Sequence, residues 1–215
     1  MASTPTGGEG GQPQAGNGCP ANGVKIPAGA RTGKTADLDL DGRPDTIWLL
    51  DNGSGRRVGV TTATGATFSR IYRNPSPVAA RAIGQKLAPA GPAIVLVDLS
   101  RAVLLYDVVD CALVPARNAQ GNQYTFDRGF TGYGTGVECV RTGSGYTLAG
   151  LLAAQEKTGG GFRVTRTTIR LSDFGRQARN GVTTTLARHA ATDSDLVQHA
   201  RTVSCGSGPQ VQGLG

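Results

Sequence analysis

The stretch Asp37-Leu38-Asp39-Leu40-Asp41-Gly42-Arg43-Pro44-Asp45, running directly into Thr46-Ile47-Trp48-Leu49-Leu50, decides how the rest of the chain is read. Four carboxylates fall at relative positions one, three, five and nine, with glycine at six. Like charges this close repel one another unless a cation sits among them. A hard divalent ion that gathers six to eight oxygens, Ca²⁺ above all, suits such a donor set. Alternate residues of a tight loop point inward, so Asp37, Asp39 and Asp41 are expected to converge on one point. The backbone carbonyl of Arg43 adds a fourth oxygen and Asp45 a fifth, directly or through water. Gly42 permits the sharp turn that folds the loop around the ion. The competing reading is a solvated Asp/Gly turn. With nothing basic nearby to neutralise the cluster, the ion is favoured.

The loop opens like an EF-hand and closes differently. Position twelve is Trp48 where an EF-hand has a bidentate Glu, and a β-prone apolar run follows where an EF-hand has a helix. A D-x-D-x-D-G-x-x-D loop running straight into a strand resembles the FG-GAP/VCBS repeats of integrin-α-like β-propellers and of many bacterial surface proteins. The resemblance is specific over Asp37–Asp45 and the strand after it, and only suggestive over residues 81–171. It implies an extracellular, calcium-stabilised, β-propeller-like binding or adhesion module. The chain holds about three to four units, fewer than the family's rings contain. It is either a small or incomplete propeller or a different all-β arrangement that borrows one blade motif.

Working outward, Thr46–Leu50 reads as a buried strand, residues 51–55 as a hairpin turn, Arg57–Thr62 as a second strand and Thr67–Tyr72 as a third. The unit is a β-meander of antiparallel strands. The same grammar returns twice, with repeat starts near residues 36, 86 and 138. In the second copy Leu87–Gly91 takes the metal-loop slot without carboxylates, ahead of strands at Ala93–Val97, Ala102–Val109 and Ala112–Arg117. In the third, Val137–Gly145 takes that slot, ahead of strands at Tyr146–Leu152 and Phe162–Leu171. Only the first copy keeps a calcium loop. Thr183–Leu186 supplies a closing strand, and a short helix is expected around Asp193–Arg201. Residues 1–18 read as a flexible Gly/Pro/Ser linker, 19–206 as the all-β repeat domain and 207–215 as a frayed tail.

Composition agrees with an all-β chain. Gly accounts for 33 of 215 residues and charged residues for only 17 %. The net charge of +7 raises the question of nucleic acid. The arginines are scattered, however, with Arg56-Arg57 the only adjacent pair, so nucleic acid is excluded as the expected partner. A protein, an envelope polysaccharide or anionic lipid head groups fit a mildly basic surface better.

The four cysteines form no C-x-x-C pair. Two disulfides in an oxidising compartment are the expected outcome. Three pairings exist, and topology favours Cys111–Cys139 and Cys19–Cys205, the second tying the ends of the domain together. No apolar run reaches the length of a membrane span, and no signal peptide is legible. A secreted or cell-surface location then calls for a removed leader, a lipoprotein anchor or a transmembrane anchor elsewhere.

Two further features bear on function. Ala28–Thr35 satisfies a relaxed Walker A pattern, but it lacks a preceding buried strand and is followed by an acidic loop that repels phosphate. The aromatic, glycine-rich segment 118–136 offers Tyr124, Phe126, Phe130 and Tyr133 as a speculative ligand-binding set, against a plainer reading as a connecting loop. No nucleophile elbow or His-rich metal motif is present, and neither the two histidines nor Glu138, Glu156 and Asp173 show a catalytic pairing. The expectation is a non-catalytic binding or adhesion module. The alternatives are a sensory ectodomain of a membrane protein and a carbohydrate-binding accessory domain of a secreted hydrolase.

Overall fold

In a computed structural model, residues 18–52, 55–74, 76–129 and 134–214 are described. The fold is all-β, with strands paired antiparallel in three sheets. The first sheet is a meander of β1 (Arg31–Lys34), β2 (Thr46–Asn52), β3 (Gly55–Thr61) and β4 (Thr67–Ile71) in that order. The second contains β5 (Arg81–Lys86), β6 (Ala93–Asp98), β7 (Ala102–Val109) and β8 (Ala112–Pro115), with β9 (Thr125–Asp127) paired to β7. The third is a meander of β10 (Thr135–Thr142), β11 (Gly145–Gln155), β12 (Phe162–Ser172) and β13 (Gln177–Ala190). A short helix, α1 (Asp195–His199), and β14 (Val211–Gln212) follow.

The apolar pattern explains how the sheets stack. Strand β6 is an unbroken apolar run with every residue from Ala93 to Val97 buried. Side chains alternate between the two faces of a strand. Ala93, Val95 and Val97 accordingly join Ile47, Leu49, Val58 and Val60 of the first sheet in one core. Ile94 and Leu96 face the other way, into a core shared with Val137, Leu148 and Ile169 of the third sheet. The second sheet is therefore the middle layer. Its run lacks alternation because both faces are covered. The outer face of the third sheet is capped by α1, whose Val197 packs with Ala200 against Leu151, Ala153 and Val164.

Several details differ from the sequence-based reading. The first meander has a fourth strand, β1, inside the Walker-like stretch, with Gly33 opposite Ile47. In the third copy residues 137–142, expected as an eroded metal loop, lie within β10, and the equivalent connection is the tight turn at 143–144. Residues 207–215 were expected to fray, yet β14 pairs with β5 and Val211 is buried in the first core. The buried Val211 side chain, the pairing with β5 and the Gly213 amide donating to the Ala80 carbonyl hold that tail. Residues 1–17, expected as a linker, lie outside the described residues.

Both disulfides differ from the favoured pairing: Cys19 joins Cys111, and Cys139 joins Cys205. The cause is local. The segment leading to Cys205 runs beside β10, with Val203 bridged to Val137 and the Ser204 amide donating to the Val137 carbonyl. That places Cys205 next to Cys139, while Cys19 meets the tight turn after β7. Two disulfides are consistent with an oxidising compartment. Among the described residues no helix is long and apolar enough to cross a membrane.

Candidate metal centre

The acidic loop is the connection between β1 and β2. Its base is closed as a hairpin, the Thr35 amide donating to the Asp45 carbonyl and the Asp45 amide to the Ala36 carbonyl. Asp37 folds the loop on itself, since its carboxylate accepts the amides of Asp41 and Gly42, each at 3.1 Å. Leu40 and Gly42 both take left-handed backbone angles, with φ of 63° and 86°. Glycine does so at no steric cost, while leucine does not.

One carboxylate oxygen from each of Asp37, Asp39 and Asp45 lies within 4.8 Å of the other two. Asp45 is 1 % exposed. Its Oδ2 accepts the Leu38 amide at 2.7 Å and its Oδ1 the Ala63 amide at 3.0 Å, tying the loop to the turn after β3. Asp39 Oδ2 accepts the Cys19 amide at 2.8 Å, whereas its Oδ1 is buried and accepts no hydrogen bond among the described residues. Burial, with the charges of Asp39 and Asp37 adding to it, pushes the Asp45 carboxyl up to about 6 against the pull of the two amides. Burial also raises Asp39, helped by Asp41 and Asp37 and opposed by the Cys19 amide.

Contrary to the expectation of nothing basic nearby, the cluster is not free of cations. Lys86, at the end of β5, reaches Asp37 Oδ2 at 2.7 Å. Arg43 turns its side chain onto Asp41, with Nη2 at 2.8 Å and Nε at 3.1 Å from Oδ2. Asp41 is thereby drawn out of the convergent set. Four carboxylates against these two cations leave two negative charges. An oxygen-only donor set, one buried oxygen without a partner and a residual charge of two fit a hard divalent cation. Asp37, Asp39 and Asp45 are the side chains that could hold one.

The remaining sequence candidates are dispersed. Phe126 is buried in the second core, and Tyr124 meets it edge-on with ring centroids 5.2 Å apart. The Tyr124 hydroxyl is 2.5 Å from Asn180 Oδ1. Phe126 thus serves packing, and Phe130 and Tyr133 lie outside the described residues. Both histidines pair with glutamates that sequence reasoning left unpaired. His199 Nε2 lies 2.8 Å from Glu138 Oε2, while Arg166 Nε holds Oε1 at 2.5 Å. His189 Nδ1 lies 2.7 Å from Glu156 Oε2, with Arg188 3.9 Å from Oε1. No periodicity could have revealed these contacts, because each joins residues brought together by strand pairing or by docking of α1. No family model, curated protein or solved structure matches the chain.

Proposed function

We propose that this chain is a non-catalytic binding or adhesion module of an extracytoplasmic surface, its first sheet held by a structural Ca²⁺ in the β1–β2 loop. The observation that carries the reading is the convergence of Asp37, Asp39 and Asp45 around a residual charge of two. The ion would neutralise the carboxylates and give Asp39 Oδ1 the partner it lacks, which makes its role one of folding free energy. The repeated four-strand meander and the loop in its β1–β2 connection support a blade-like unit of the FG-GAP/VCBS type. In this reading three such units stack face to face, and the two disulfides staple the second and third sheets to neighbouring chain, Cys111 to Cys19 ahead of the first sheet and Cys139 to Cys205 after the third. Envelope attachment through a leader or anchor belongs to the same proposal.

Calorimetric titration of the chelator-stripped chain with Ca²⁺ tests it. One saturable site, lost in Asp39→Asn, is the expected result. Replacing Asp39 by asparagine keeps an oxygen for the Cys19 amide and removes the charge. Absence of heat, or binding unaffected by Asp39→Asn, contradicts the proposal.

A further inference from the structure

We propose that the cleft at the β11–β12 end of the third sheet binds a phosphoryl group. The inference names a ligand class for the binding module and does not depend on the metal loop. The cleft has a volume of about 440 Å³ and is lined by Glu156, Lys157, Thr158, Arg163, Arg188 and His189, among others. The β12–β13 register explains how three basic side chains come to face it. Phe162 pairs with Ala190 but Val164 with Ala187, so Arg188 and His189 together oppose the single residue Arg163. Such a bulge re-aims side chains, and bulges concentrate at sheet ends and next to functional sites. His189 adopts φ of 54° to fit it, a conformation costly for a non-glycine residue.

The charges do not balance within the cleft. Lys157, Arg163 and Arg188 stand against Glu156 alone, leaving two positive charges before His189 is counted. Glu156 is already engaged by His189 at 2.7 Å and by Arg188 at 3.9 Å. Arg163 and Lys157 are exposed and have no ionic partner among the described residues. Two guanidinium forks beside an ammonium and the Thr158 hydroxyl suit the oxygens of a phosphate, since guanidinium donors match that geometry two at a time. A dianion would cancel the excess. The donors are generic to phosphoryl groups, so free phosphate and a lipid head group share this chemistry.

The test is a titration of the isotope-labelled chain with inorganic phosphate at low ionic strength, read from the backbone amides of residues 156–158, 163, 188 and 189. Sedimentation with phosphatidylglycerol vesicles, against phosphatidylcholine vesicles, runs in parallel. The variant is Arg163→Gln/Arg188→Gln. The control is Arg57→Gln/Arg179→Gln, which removes the same charge elsewhere. Saturable shifts confined to the cleft, weakened at least about tenfold in the variant and little changed in the control, support the site. Vesicle binding without a response to phosphate, lost only in the cleft variant, supports it with a lipid head group as the source. Equal losses in variant and control overturn it, as does vesicle binding that survives the cleft variant. Silence from both probes overturns it too.

Discussion

Replacing Asp107 with asparagine should make the protein more stable at pH 8 and leave it almost unchanged at pH 4. Asp107 lies on β7 in the middle sheet and is 0 % exposed. Neither of its carboxylate oxygens accepts a hydrogen bond among the described residues. Burial pushes its carboxyl from 3.8 up to about 7, with Asp110 and Asp173 adding to the rise and chiefly the Arg176 guanidinium opposing it. Arg176 offers only partial relief because it is drawn to Asp110 at 2.5 Å and Asp173 at 3.9 Å. A carboxyl whose folded value is raised is favoured by folding while protonated. That contribution is complete below pH 3.8 and is lost as pH climbs through about 7. A rise of this size corresponds to about 4 kcal/mol at full ionisation, and about 2 kcal/mol is a sounder expectation after local screening. Asparagine keeps the shape and cannot ionise. The assay is urea unfolding of wild type and Asp107→Asn at a series of pH values from 4 to 8. The difference between the two curves isolates Asp107 from Asp45, which titrates in the same range. The curves should lie together at pH 4 and diverge by about 2 kcal/mol at pH 8 in favour of the variant. Parallel curves, or a variant weaker at pH 8, refute the reasoning.

Two other substitutions probe the packing and the loop. Gly59→Ala places a Cβ about 2.1 Å from Trp48 Cζ2 and 2.2 Å from Cε2, where a flat glycine now carries the indole ring. Forcing the ring aside should cost about 1–3 kcal/mol and lower Tm by several degrees, with a changed tryptophan emission; an unchanged Tm contradicts the packing described. Lys86→Met takes one cation from Asp37, so the stripped protein should lose stability while its Ca²⁺ affinity rises. Calorimetry of the variant checks this, and a fall in affinity would show that Lys86 helps assemble the site rather than competing for it.

The sequence was most legible where local chemistry and local structure coincide. Alternating carboxylates with Gly42 marked a loop that does fold back on Asp37, and the apolar run Ala93–Val97 marked a strand because both its faces are buried. Legibility failed where a residue's environment comes from distant chain. Strand β1 hides in a Gly- and Lys-containing stretch because its partner β2 supplies the pairing. Asp45 read as one more ligand, yet both its oxygens are also anchors for backbone amides, one from the turn after β3. Lys86 sits 49 residues from Asp37 and is delivered by the second sheet. The cysteine pairing depended on the path of residues 203–205 along β10, which no spacing encodes. Glu138 and His199 meet only because α1 docks on the third sheet.

The most direct test of the central claim is thermal unfolding of wild type and Asp39→Asn, each with Ca²⁺ and with EGTA. At free Ca²⁺ a hundredfold above Kd, binding adds about 2.7 kcal/mol, which corresponds to roughly 5–10 °C for a chain of this size. The account predicts that upward shift in wild type and its loss in Asp39→Asn. Identical melting of wild type in Ca²⁺ and EGTA would make Asp37–Asp45 a turn held by Lys86, Arg43 and backbone amides alone, and would contradict the metal-stabilised module.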